Sequence, residues 1–195
     1  HGTNGFYLPF TETTTANGFN TVTYSGNGAT RSVEGVGFSP DLVWVKERTS
    51  TSSNVWTDSV RGATKILVSN TTGVEASSST YLKTFDSDGF TVGTSGAFNA
   101  STDDYVAWCW DAGTGSAASN TDGSITSSVK ANQTYGFSIV SYTGTNSSTE
   151  TIGHGLGKAP SMIIAKSLDS GSNFWSVYHS GNTAEPETEL LRLNT

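Results

Sequence analysis

Gly18-Phe19-Asn20-Thr21-Val22-Thr23-Tyr24-Ser25-Gly26 recurs later in the chain as Gly136-Phe137-Ser138-Ile139-Val140-Ser141-Tyr142-Thr143-Gly144. Gly, Phe, Val, Tyr and the closing Gly are identical, and most other positions are similar. Each stretch is short, rich in β-branched and aromatic residues, and bounded by glycine, which is the pattern of a β-strand between turns. A match of this kind has to be read before any motif, because a repeat sets the architecture.

The match continues in the same order. Pro40-Asp41-Leu42-Val43-Trp44-Val45-Lys46 corresponds to Pro160-Ser161-Met162-Ile163-Ile164-Ala165-Lys166, and Asn54-Val55-Trp56-Thr57 to Asn173-Phe174-Trp175-Ser176. Thr64-Lys65-Ile66-Leu67-Val68-Ser69-Asn70-Thr71 corresponds to Thr188-Glu189-Leu190-Leu191-Arg192-Leu193-Asn194-Thr195. The second copy is expected to be truncated, because nothing in it answers to Phe85-Asp86-Ser87-Asp88-Gly89-Phe90 or to Tyr105-Val106-Ala107-Trp108-Cys109-Trp110. The rest lies further along a longer polypeptide, or a partner chain supplies it.

These matches predict an all-β protein of jelly-roll-like β-sandwich units duplicated in tandem. Residues 1–17 form an N-terminal arm, 18–111 the first repeat, 112–123 a Gly/Ser-rich flexible linker and 124–195 the second repeat. Strands are expected over 19–25, 31–36, 42–47, 54–60, 81–85, 90–93, 104–110, 124–129, 135–143, 161–166 and 173–178. Apolar runs of strand length place Val43, Trp44, Val45, Trp108, Cys109, Ile163 and Ile164 in the core, together with Trp110, which shares a face with Val106 and Trp108.

Composition narrows the function. The chain has 195 residues, 22 of them Gly, with 14% charged residues and a net charge of −7. Its basic residues are scattered singly, so the positive footprint that phosphate binding needs is missing and nucleic acid is not an expected partner. No stretch approaches the length of a membrane span, and no membrane insertion is expected. The single cysteine, Cys109, excludes a disulfide framework within one chain and reads as an inert core thiol.

No candidate for chemistry stands out. Neither His154 nor His179 is accompanied by a G-x-S-x-G elbow, so a Ser-His-Asp triad has no ordered signature and the chain reads as non-enzymatic, without a cofactor. Asp86-Ser87-Asp88-Gly89 has the opening of a calcium loop but lacks its later acidic residue. Asp86 and Asp88 are therefore weak metal candidates, and a hairpin turn is the preferred reading. Asp58 and Arg61 suit a local ion pair at a turn. Exposed tryptophans stack sugar rings, and Trp56 and Trp175, present in both copies, are the sugar-binding candidates beside an equally suitable structural role.

Several segments carry a family resemblance: Gly37-Phe38-Ser39-Pro40-Asp41-Leu42-Val43-Trp44-Val45-Lys46, Asp58-Ser59-Val60-Arg61-Gly62-Ala63-Thr64-Lys65, Phe85–Phe90 and Tyr105–Trp110. Together with Gly18–Gly28 they resemble an uncharacterised tandem-repeat family of phage virion proteins, frequent in marine phages. Asn4-Gly5-Phe6-Tyr7-Leu8-Pro9-Phe10 resembles a segment found beside concanavalin-like domains in those proteins. The resemblance implies a non-enzymatic structural protein at the extracellular virion surface, a tail fibre or a capsid-surface appendage for assembly or host attachment. The alternative is a carbohydrate-binding adhesin module. Implied partners are copies of itself, other virion proteins and host surface glycans. Phe6, Tyr7 and Phe10 are the assembly candidates, as an apolar patch able to dock on a neighbour.

Overall fold

The computed structural model describes residues 18–194, so the assembly candidates Phe6, Tyr7 and Phe10 lie outside the described residues. The first half contains β1 (Phe19–Ser25), β2 (Arg31–Glu34), β3 (Leu42–Glu47), β4 (Val55–Asp58), β5 (Lys65–Val68) and β6 (Ala76–Ser77). It continues with β7 (Leu82–Asp86), β8 (Gly89–Val92), the single-turn helix α1 (Gly96–Asn99) and β9 (Asp104–Trp110). The second half contains β10 (Ala118–Asn120), β11 (Ser127–Asn132), β12 (Phe137–Tyr142), β13 (Met162–Ala165), β14 (Ser176–His179) and β15 (Leu191–Arg192). The fold is all-β and sandwich-like, as the strand-and-turn pattern predicts.

One layer of the sandwich is a six-stranded antiparallel sheet, β1-β9-β3-β4-β5-β6. The other is the antiparallel sheet β2-β8-β7. Alternation along each strand sends one set of side chains between the layers. Val43, Val45, Val55, Tyr105, Ala107 and Cys109 come from the larger sheet, and Val33, Leu82, Phe90 and Val92 from the smaller. Phe98 of α1 joins the same cluster. Tyr24 stacks on Tyr105 with centroids 5.2 Å apart and lies edge-on to Phe90. Each phenol meets its polar need on the backbone of α1: Tyr24 donates to the Phe98 carbonyl at 2.8 Å, and Tyr105 to the Gly96 carbonyl at 2.7 Å.

The tight turn of the second layer explains the Asp86–Gly89 motif. Asp86 pairs with Gly89 across the β7–β8 hairpin, and Gly89 has φ +148°, where a Cβ would lie 2.0 Å from the Val33 carbonyl oxygen. Glycine is required there because β8 passes against the backbone of β2. Asp88 accepts from the Gly37 amide at 2.5 Å, and Asp86 accepts from the Thr91 hydroxyl at 2.7 Å. Both carboxylates are thus engaged in holding the turn, the preferred sequence reading.

The second half forms two further antiparallel sheets, β10-β11-β12 and β13-β14-β15. The expected linker is not free chain: β10 falls within it and pairs with β11, and the buried Ala112 donates its amide to Asp41 at 2.9 Å. The Lys130 ammonium of β11 reaches the same carboxylate at 2.6 Å, so Asp41 ties the two halves together. The two expected core positions on β13 differ. Ile163 is 47% exposed and Ile164 is half-buried, because β13 is an edge strand and no second layer of described residues covers the Ile163 face.

Candidate functional site: an aromatic groove on the outer face of the sheet

The strand Asp104-Tyr105-Val106-Ala107-Trp108-Cys109-Trp110 is apolar on both faces, but only Tyr105, Ala107 and Cys109 enter the core. Val106, Trp108 and Trp110 point outward and are half-buried. On β3 the same alternation buries Val43 and Val45 and turns Trp44 and Lys46 outward. Trp44, Trp108 and Trp110 therefore lie outside the core assigned to them from sequence. A run that is apolar on both faces marks a strand covered on both sides, and here the second cover is an incomplete aromatic layer.

Register assembles that layer. Thr21 lies opposite Trp108, Trp108 opposite Trp44, and Trp44 opposite Trp56, so three indoles occupy one row across neighbouring strands. Their ring centroids are 5.7 Å (Trp108–Trp44) and 5.4 Å (Trp44–Trp56) apart. The row is closed at one end by Trp175, whose ring sits 5.3 Å from that of Trp56. At the other side Trp110 packs on Phe19, with Phe137 stacked beyond it.

Between these ends an open, largely apolar groove of about 380 Å³ is lined by Trp44, Lys46, Asn54, Trp108 and Trp110. This volume lies within the range of small-molecule sites, roughly 300 to 1,000 Å³. Its floor is held in place. The Trp44 indole N–H donates to Ser69 Oγ at 3.1 Å, which fixes that ring. Lys46 Nζ donates to the carbonyls of Glu47 at 2.5 Å and Ser50 at 3.1 Å, so its charge is held at the rim. The buried Glu47 carboxyl accepts from the hydroxyls of Thr49 and Ser52. Hydroxyl hydrogen bonds, chiefly from Ser50 and Ser52, hold it below the usual carboxylate range.

The sugar candidates read from sequence fare differently. Trp56 is half-buried between Trp44 and Trp175. Trp175 is 2% exposed, and its indole N–H is shared between the carbonyls of Val68 at 3.1 Å and Thr71 at 3.2 Å. It offers no stacking face and serves as a wedge between the two halves. The sheet register also separates the two: Val177 takes the place opposite Ile164 that Trp56 takes opposite Trp44, while Trp175 precedes β14. The residues that sequence reasoning missed, Trp44, Trp108 and Trp110, meet only through cross-strand pairing.

A second, polar concavity is lined by Asp122, Gln133, His154 and Lys158 among others. His154 Nδ1 accepts from the Leu156 amide at 3.2 Å, which makes it a turn residue. Among the described residues no group of three or more His, Cys, Asp or Glu side chains is placed to hold a metal ion.

A family model matches residues 14–195. The chain belongs to the family described as Domain of unknown function (DUF7483). No curated protein and no solved structure matches it. Within DUF7483 residues 14–195, the lining of the aromatic groove comes from the first half of the chain, while its flanks, Phe137 and Trp175, come from the second half.

Proposed function

We propose that the chain is a non-catalytic attachment module of a virion surface structure, a tail fibre or capsid appendage, which holds a pyranose ring against Trp108 and its neighbours. The observation that carries this reading is the open groove with three indoles in its lining, Trp44, Trp108 and Trp110. Indole faces suit the axial C–H face of a sugar, and the Asn54 amide and Lys46 ammonium supply hydrogen bonds to its hydroxyls. The resemblance of Gly37–Lys46 and Tyr105–Trp110 to phage virion repeats supports an extracellular particle as the setting, with other virion proteins and further copies as assembly partners.

Titration calorimetry on the best ligands from a glycan array tests this. Trp108→Ala removes one stacking face and is expected to weaken binding about tenfold, equivalent to about 1.4 kcal/mol. Trp108 lies on the side of the sheet away from the core, so thermal unfolding of the variant stays cooperative. An array without hits, or binding indifferent to Trp108→Ala in a folded protein, overturns the reading.

A further inference from the structure

We infer that the aromatic groove selects sugars that carry a carboxylate on the ring, the hexuronic acids, and that Lys46 sets this preference. The inference rests on the sugar-binding reading of the groove and specifies which sugars it takes.

Register gives the groove a polar end. Lys46 follows Trp44 by two positions on β3, so the two side chains leave the same face of the sheet. Val55 lies opposite Val45, which brings Asn54, one residue earlier, to the end of the groove that Lys46 occupies. The rest of the lining is the three indoles of Trp44, Trp108 and Trp110, so the charge of the lining is one positive unit, carried by Lys46. The Asn54 backbone is anchored: its amide donates to the Asn70 side chain at 2.9 Å and its carbonyl accepts from the Ser69 amide at 2.9 Å. Its side-chain amide makes no hydrogen bond among the described residues and is left to face the groove.

The Lys46 charge is oriented but not neutralised. Two of the three ammonium donors go to the Glu47 and Ser50 carbonyls, neutral groups that fix the head and leave its charge intact. Among the described residues the ion pairs belong to Arg61, Lys65 and Lys130. Glu47, next in sequence, leaves the opposite, buried face of β3 across from Tyr105, and its carboxylate is engaged by the Thr49 and Ser52 hydroxyls. Lys46 lowers that carboxyl less than its hydroxyl partners do. Asp104 shares the outward face of β9 but lies beyond Val106, the residue opposite Lys46, and it accepts from the Ser25 hydroxyl at 2.6 Å.

A pyranose ring stacked by its C–H face on Trp108 directs its equatorial substituents along the groove, in the plane of the ring. A hexuronic acid carries a carboxylate at one such position, where a neutral hexose has a hydroxymethyl group. That carboxylate can accept from the third Lys46 donor and from the Asn54 amide, and charge-assisted hydrogen bonds are about twice as strong as neutral ones. Indole faces alone would also attract a cation, but the Lys46 ammonium repels one and so decides the sign of the ligand.

The test titrates the full chain with methyl glucuronoside, methyl glucoside and the methyl ester of the glucuronoside, and with the corresponding galactose series, following the Trp108 indole N–H signal. The ester keeps the shape of the acid and removes its charge. The acid of at least one series is expected to bind about tenfold more tightly than its ester and its neutral hexoside at low salt. Most of that preference should disappear at about 0.5 M salt. Lys46→Met should abolish it and Lys46→Arg, which keeps the charge, should retain it. If Lys46→Met loosens the loop after β3, seen as a lowered unfolding temperature, the ester and salt comparisons on the unaltered chain still decide the matter. Equal affinity for acid and ester in both series, or a preference that survives Lys46→Met in a folded chain, overturns the inference and leaves the sugar-binding reading intact. No shift at Trp108 with any of these glycosides defeats that reading itself, and the inference with it.

Discussion

Cys109 sits on β9 opposite Val43 of β3, inside the core cluster, and burial pushes its thiol from the ordinary 9.0 up to about 12. A thiol in this environment stays protonated and unreactive at neutral pH. In the folded chain it should resist an aromatic disulfide reagent at pH 8 and release one equivalent only after denaturation; rapid labelling of the native protein would contradict its placement. The sign of the pH dependence follows. The unfolded thiol ionises near 9 and the folded one only near 12, so this group costs nothing below pH 9 and removes stability as pH climbs from about 9 toward 12. Burial raises the Tyr24 phenol as well, which adds to the loss on the alkaline side. The burial of Cys109 was legible from the apolar run around it, whose length suits a strand. Which face of the same strand meets the core was not legible, and Trp108 and Trp110 were both placed in the core for that reason.

At the level of elements, the end of β4 shows how a polar cluster locks a turn. Asp58 accepts from the amides of Val60 at 3.1 Å and Arg61 at 2.9 Å and from Arg61 Nε at 2.5 Å. Arg61 reaches on to Glu75 at 3.2 Å, and Lys65 meets the same carboxylate at 3.2 Å. The Arg61 and Asp58 side chains are nearly enclosed, whereas Lys65 is 44% exposed. Arg61→Ala leaves a buried carboxylate without its cation and should cost about 3 kcal/mol in urea unfolding. Lys65→Ala removes a solvated partner and should cost less than about 1 kcal/mol. Equal, small losses in both variants would show that the cluster does not hold the turn. The Asp58–Arg61 pair was readable from its spacing, but its link to Glu75 was not, because β5 and β6 bring those residues together. Strands with side-chain alternation, β1, β3 and β9, were legible to the residue. β10, made of Ala118-Ser119-Asn120, carries no hydrophobic signal and exists through its backbone pairing with β11. The turn of α1 was missed for a similar reason: Gly96-Ala97-Phe98-Asn99 is too short for a helical period, and what sets it is the Ser95 hydroxyl accepting from the Ala97 amide.

Across the whole molecule, the two halves meet through a few long-range contacts: Asp41 with Lys130, Trp110 with Phe137, Trp56 with Trp175, and the Glu75 amide with the Leu168 carbonyl at 2.9 Å. These contacts leave the floor of the groove open while closing its ends. The all-β class followed from strand-and-turn punctuation alone. The groove did not, because it depends on cross-strand register and on the way the second half docks, neither of which is encoded in any single window of sequence. In the proposed binding mode the open indoles receive a sugar ring while the wedged one does not. It is tested most directly by following the five tryptophan indole N–H signals in a nitrogen-15 correlation spectrum as an array-selected glycan is added. Saturable shifts at Trp108, Trp110 and Trp44, with Trp175 unmoved because its N–H stays bonded to Val68 and Thr71, are the predicted result. Shifts confined to Trp175 or Trp56, or no shift at a glycan concentration that saturates binding in calorimetry, would contradict it.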